Sequence, residues 1–233
     1  MKLAISQPTF LPWIGYFALI KKVENFIFLD HVQFEKRSWQ QRNYIQLNGQ
    51  PHLITIPVKS KARFKQKISD VEIYDFKEII KIKNKIFHSY KKARYFNDYY
   101  ENISNIFDSN KNFLLNLNIE LIKFFTKELK ISVNFTLSSS YEVKSNKEDL
   151  IFDLCKKIDC EEYLTTIGAK QYLAKFKNIP GTDIKISYFE FVDIKYFQNN
   201  NKFIPKLSIL DLLFNEGKNS AKILEEGFRI INK

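Results

Sequence analysis

Residues 2–30, KLAISQPTFLPWIGYFALIKKVENFIFLD, decide the fold. KLAI at 2–5 is a short apolar run that reads as a buried strand. WIGYFALIKKV at 13–23 has its apolar positions at helical spacing, and FIFL at 26–29 is a second apolar run ending in Asp30. Strand, loop, helix and strand in that order predict two parallel neighbours joined by a right-handed crossover. In open sheets of this kind ligands bind beyond the carboxyl ends of the strands, which places SQPTFLPW and DHVQFEKR at one common end.

Working outward, NYIQLNGQPHLITIPV at 43–58 alternates around Asn48-Gly49, a strong hairpin signal. KSKARFKQK at 59–67 reads as a charged loop, and SDVEIYDF at 69–76 as the start of another strand. From Phe76 to Leu129 the pattern is helical in three elements, with a boundary at Asp108-Ser109-Asn110. Beyond it lie ISVNFTLSS as a strand, NKEDLIFDLCKKI as a helix capped by Ser145 or Asn146, and EYLTTIGAKQYL as strand, glycine loop and helix. KISYFEFV follows as a late strand and SILDLLFNEG as a helix stopped by Gly217. The predicted class is α/β: one domain over residues 1–233, with a parallel-sheet core opening in β-α-β, a hairpin near 43–58 and a helical insertion at about 76–130. A division near residue 75 is the alternative.

The chain has 233 residues, 45% of them hydrophobic, ample for a core. MKLAI has too short an apolar run for a signal peptide, and no uncharged stretch approaches the roughly 18 residues of a membrane span, so the reading is a cytosolic protein without membrane insertion, or one that visits a membrane only from its surface. Cys155 shares a helical stripe with Leu150, Ile151, Leu154 and Ile158 and reads as a core thiol. His31, His52 and His88 fall at no metal-ligand spacing, so neither a metal nor any other cofactor is predicted. The net charge of +11 invites a nucleic-acid reading, but of 37 basic residues only five are Arg, and diffuse Lys suits compositional bias better. Arg37 and Arg42, within one short segment, therefore stand out.

Two constellations carry chemistry. In SQPTFLPWIGYF at 6–17, Pro8 and Pro12 stiffen the turn, Gly15 permits close approach near a helix start, and Trp13 and Tyr16 add flat surfaces with polar edges. Together with Gln7 they read as a preformed cradle for a phosphate or a ring; the competing reading makes the aromatics core anchors and Gly15 a packing relief. In DHVQFEKRSWQQRN at 30–43, Asp30 and Gln33 follow the second strand, and Arg37, Trp39, Arg42 and Asn43 precede the hairpin. Two guanidinium groups beside an indole suit a phosphate next to a stacked base or sugar. No G-x-S-x-G elbow, Walker loop or H-E-x-x-H is present.

QPTFLPWIGYF, DHVQFEKRSWQQRN, TIPV at 55–58, SYKKARYF at 89–96 and SILDLLFNEG at 208–217 together resemble the WbqC-like family. The resemblance implies a role in bacterial O-antigen and other surface-polysaccharide synthesis, acting on nucleotide-activated, often amino-bearing, sugars. It highlights Gln7, Pro8, Pro12, Trp13, Gly15, Tyr16, Asp30, Gln33, Arg37, Trp39, Arg42, Asn43, Tyr90, Gly168, Tyr172, Ser208, Asp211 and Asn215. Gln41 departs from the family pattern, and His31 stands at a variable position. W-I-G-Y also occupies the place that H-x-G-H holds in nucleotidylyltransferases and pantothenate synthetases. Trp13 and Tyr16 cannot supply the cationic donors of adenylyl transfer, so that chemistry is not expected here.

The function this implies is a transferase, moving an acyl or aminoacyl group from a donor to a nucleotide-linked amino sugar. Gln7 and Asp30 are the candidate catalytic residues, Asp30 as base, with His31 and His88 as alternative bases. Trp13, Gly15, Tyr16, Gln33, Arg37, Trp39, Arg42, Asn43 and Asp211 are the candidate substrate-binding residues. An RNA- or nucleotide-binding module using Arg37, Trp39 and Arg42 is the alternative, and an assembly partner of another enzyme a third reading.

Overall fold

The computed structural model describes residues 1–109, 112–200 and 202–231. The opening stretch folds as β1 (Lys2–Ser6), α1 (Ile14–Lys21) and β2 (Asn25–Phe28), with β1 and β2 parallel and Leu3 opposite Asn25. Next comes the hairpin, β3 (Arg42–Leu47) and β4 (Gln50–Thr55), which forms a separate two-stranded sheet. Its turn residues Asn48 and Gly49 have φ of 52° and 73°, the paired positive values that match the twist of the flanking strands. The helical block is α2 (Phe76–Tyr90), α3 (Phe96–Ser109) and α4 (Leu114–Glu128). Asn110, the last residue of the predicted helix boundary, lies outside the described residues.

The remainder comprises β5 (Asn134–Leu137), α5 (Lys147–Ile158), β6 (Glu162–Thr166), α6 (Lys170–Leu173), β7 (Lys185–Phe191), α7 (Ile209–Glu216), α8 (Ser220–Glu226) and β8 (Phe228–Ile231). The main sheet has the order β5-β2-β1-β6-β7-β8, parallel throughout except that β8 runs antiparallel to β7. The fold is thus the predicted mixed α/β class with a mainly parallel sheet. One expected strand does not form. Residues 69–76 alternate Val71 and Ile73 inward with Glu72 between them, yet they meet neighbours only in isolated bridges at Val58–Ile73 and Glu72–Phe113. Alternation without a partner strand leaves them irregular.

Each face of the sheet has its own core. Ala4, Phe26 and Phe28 project into a cluster with α1, the helical block, the hairpin's Ile45 and Ile54, α7 and α8. Leu3, Ile5 and Ile27 project the other way, into a cluster with Leu150, Leu154 and Cys155 of α5 and Leu173 of α6. The period-two alternation of strand side chains produces this division. From β1 the chain winds through β2 to β5 with helices on the first face, then returns through β6 to β7 with helices on the second. Right-handed crossovers demand such a change of face when the direction reverses. The reversal point lies between β1 and β6, which pair only at Lys2–Glu162 and Leu3–Tyr163. Strands β1 and β2, in contrast, stay paired to Ser6–Phe28.

Candidate functional site

The first constellation is built into the protein. Pro8, Phe10, Leu11 and Pro12 are buried, and the turn is held by side-chain amides from distant elements. Asn43 at the start of β3 donates to the Phe10 and Leu11 carbonyls at 3.2 and 2.8 Å, and Asn118 of α4 donates to the Pro8 and Gln40 carbonyls at 3.1 and 2.8 Å. Gln40 Nε2 donates to Gln7 Oε1 at 2.8 Å, and the Phe10 amide donates to the Trp39 carbonyl at 2.9 Å. The amino-terminal loop and the arginine-bearing segment therefore do meet. Leu11, at φ 42°, is a strained position that these bonds pin.

Trp13, Gly15 and Tyr16 face inward at this corner. Trp13 packs edge-on against Phe191 at the end of β7, with ring centroids 5.6 Å apart, and a Cβ at Gly15 would collide with the Trp13 indole. The close approach that Gly15 permits is thus taken by an aromatic ring of the protein itself. Tyr16 is buried, its hydroxyl donates to the Gln7 carbonyl at 3.0 Å, and burial pushes its phenol well above the usual range. Sequence reasoning missed Gln40, one of two adjacent glutamines in an irregular segment, and Asn118, a lone amide within α4, since neither carries a local signal.

The open space lies on the other side of the strand ends. A cleft of about 930 Å³ is lined by Gln7 after β1, by Leu29, His31, Val32 and Gln33 after β2, by Lys67, by residues leading into α5 that include Lys144, Asn146, Lys147 and Glu148, and by Tyr172 of α6. It sits at the carboxyl edge, beside the point where strand order reverses, where doubly wound sheets bind ligands. Asn146 is the amino-terminal cap residue of α5, as predicted, but its side chain makes no capping bond; Ser145 Oγ bonds Asp153 instead, at 2.7 Å. The amide groups at that helix end are left for solvent or a ligand. Lys147 opens the helix at φ 55°, an uncommon conformation for a residue with a side chain.

Of the residues singled out in the sequence, Gln7, His31, Gln33 and Tyr172 line this cleft. Asp30 lies just behind it, only 2% exposed. Its Oδ1 accepts from Ser138 Oγ at 2.8 Å and from the Ser139 amide at 2.9 Å, and its Oδ2 accepts from Ser139 Oγ at 2.6 Å, tying the end of β2 to the end of β5. His31 lines the cleft with Nδ1 2.6 Å from Ser138 Oγ. Arg37, Trp39 and Arg42 are not among the lining residues. Arg37 is exposed on a left-handed turn whose amide donates to Gln41 Oε1, and Trp39 is 52% exposed with its ring 6.0 Å from that of Tyr44. Asn43 is consumed by the loop carbonyls. His88, on α2, is exposed and outside the cleft lining.

Asp211 occupies a third location, fully buried in α7. Its Oδ2 accepts from the Tyr196 hydroxyl and from Gln198 Nε2, both at 2.8 Å, and Gln198 in turn bonds both backbone groups of Ile204. This carboxylate anchors the connection from β7 to α7. Burial pushes it up to about 6, against the pull of its hydrogen-bond donors. Among the described residues no group of three or more His, Cys, Asp or Glu is placed to hold a metal ion, and no helix is long and apolar enough to cross a membrane.

Comparison with known proteins agrees with the layout of motifs. A family model described as the WbqC-like protein family matches residues 7–223. An uncharacterized protein of Mycobacterium tuberculosis is 32% identical over 226 residues, covering 96% of this chain and 97% of that relative. No solved structure matches the chain.

Proposed function

The chain belongs to the WbqC-like protein family, and from that premise we propose that it is a cytosolic transferase of bacterial surface-polysaccharide synthesis. In this reading it places an acyl or aminoacyl group on a nucleotide-linked amino sugar. The observation that carries the reading is the cleft at the carboxyl edge of the sheet. Its volume of about 930 Å³ accommodates a nucleoside diphosphate sugar. Lys67, Lys144 and Lys147 give it positive charge, and the uncapped start of α5 adds backbone donors, so the diphosphate is held there. Tyr172, half-exposed at the rim, offers a face to the base. Glu148 in the same lining suits the ammonium group of an amino sugar. Gln7 and Gln33 present amides to sugar hydroxyls, Gln7 being oriented by Gln40.

Titration calorimetry with UDP-, dTDP- and GDP-linked amino sugars tests the proposal. Binding of one of them, weakened by Lys144→Glu combined with Lys147→Glu, supports it; heats indistinguishable from buffer for all three classes overturn it. A second reading rests on the exposed Trp39–Tyr44 pair beside Arg37, a face suited to stacking an unpaired base. Its signature is RNA binding that falls steeply with salt and is lost in Trp39→Ala.

A further inference from the structure

We infer that His31 is the proton acceptor of the cleft, held in one tautomer by Ser138 and the buried carboxylate of Asp30. This rests on the reading of the cleft as the substrate site and names the group that would activate the acceptor's amine or hydroxyl. Ser138, fully buried, is within hydrogen-bond reach of three groups: the Asp30 amide at 3.1 Å, Asp30 Oδ1 at 2.8 Å and His31 Nδ1 at 2.6 Å. Its hydroxyl has a single hydrogen. The Asp30 amide can only donate, so it takes one lone pair of Oγ. The oxygens of the Asp30 carboxylate only accept, and Oδ1 already takes the Ser139 amide, so its 2.8 Å contact with Ser138 Oγ is closed by the Ser138 hydrogen.

One lone pair of Oγ remains, and His31 Nδ1 must therefore be the protonated nitrogen. Nε2 is left with the lone pair, on a half-buried ring that lines the cleft. The order carboxylate, hydroxyl, imidazole places a negative charge behind the ring that gains a proton, as the orienting acid does in nucleophile–base pairs. Asp30 and Ser138 are positioning residues in this arrangement, and the proton-transferring group is His31.

In acyl transfer the chemistry balances as follows. Nε2 removes a proton from the acceptor's nitrogen or oxygen, whose electron pair forms the new bond to the acyl carbon of an activated ester or thioester. The bond from that carbon to the leaving oxygen or sulfur breaks with its pair, and the proton held on Nε2 passes to the leaving atom.

Long-range proton–nitrogen correlation spectra of the ligand-free protein in mildly alkaline buffer, with His31 assigned by its loss in His31→Gln, test the relay. The expected spectrum shows Nδ1 protonated and Nε2 bare, with the ring redistributing toward the other tautomer in Ser138→Ala. A wild-type ring protonated at Nε2, or one unchanged by Ser138→Ala, overturns the inference, and the wild-type spectrum decides alone if the variant does not fold. Carbethoxylation by diethyl pyrocarbonate, mapped by mass spectrometry, supplies the second readout. His31 is expected to be modified alongside the exposed His88, and an unmodified His31 overturns the inference. Neither measurement uses a nucleotide sugar, so their failure is distinct from failure of the calorimetric test.

Discussion

Residues 7–17 and residues 143–151 reach the same end of the sheet from opposite faces and serve it in different ways. The first stretch is dense in uncommon residues, two prolines, a tryptophan and a glycine, and beyond Gln7, which lines the cleft, most of it is buried beneath amide bonds from Asn43 and Asn118. The second, VKSNKEDLI, reads as an ordinary charged approach to a helix, yet it supplies much of the cleft lining and an uncapped helix start. Uncommon residues mark where the backbone must be forced into shape. Common ones line the open cleft.

Removing a member of the buried side should have the largest effect. Asn43→Ala strands two buried carbonyls next to a strained leucine, and Gly15→Val drives a side chain into the Trp13 ring. Each is expected to cost about 3 kcal/mol in urea unfolding. A loss below about 0.5 kcal/mol for either would remove the distinction between the two stretches.

Asp211 gives the next effect, and its sign follows from its surroundings. Burial raises its folded pKa to about 6, above the ordinary aspartate value, so its contribution to stability is fully present below about pH 4 and is lost as pH rises through 6. The cost at neutral pH is about 3 kcal/mol at most, shrinking wherever water reaches the group. Asp211→Asn, which can still accept from Tyr196 and Gln198, is expected to gain stability relative to the wild type between pH 4 and 7.5. Unfolding curves at both pH values check this, and a constant difference between the two proteins would contradict it.

On the open side the effects are smaller and fall on binding rather than folding. Lys144→Glu with Lys147→Glu is expected to weaken nucleotide-sugar affinity by at least about tenfold, roughly 1.4 kcal/mol, with an unchanged unfolding midpoint. Trp39→Ala, at an exposed site away from the cleft, is expected to move stability by no more than about 0.5 kcal/mol and to leave that affinity as it was.

What was legible in the sequence follows the range of the interactions. Local patterns read correctly: the β1-α1-β2 opening, the Asn48-Gly49 turn, the apolar stripes of α2 to α4, and Gly217, whose φ of 54° ends α7. The insertion of β6 beside β1, the antiparallel closing strand β8, and the failure of residues 69–76 to find a partner are settled by contacts between distant segments. The same holds at the site. Ser138 lies 108 residues from the Asp30 it bonds, and nothing in a run of three serines announces that link. Lys144 and Lys147 were hidden by composition, because among 37 basic residues two more lysines carry no signal. The topology rule locates Asp30, Gln33 and Gln7 at the carboxyl edge of the sheet, while Trp13, Gly15 and Tyr16 lie at the same edge but turn into the core.

The cleft between the ends of β1 and β2 and the start of α5 is the site proposed here for the charged ligand. A crystal of the protein soaked with the best-binding nucleotide sugar tests it most directly. Density for the diphosphate is expected against Lys144, Lys147 and the first turn of α5, with the sugar within reach of His31 and Gln7. Density against Arg37 and Trp39, with the cleft empty, would contradict it.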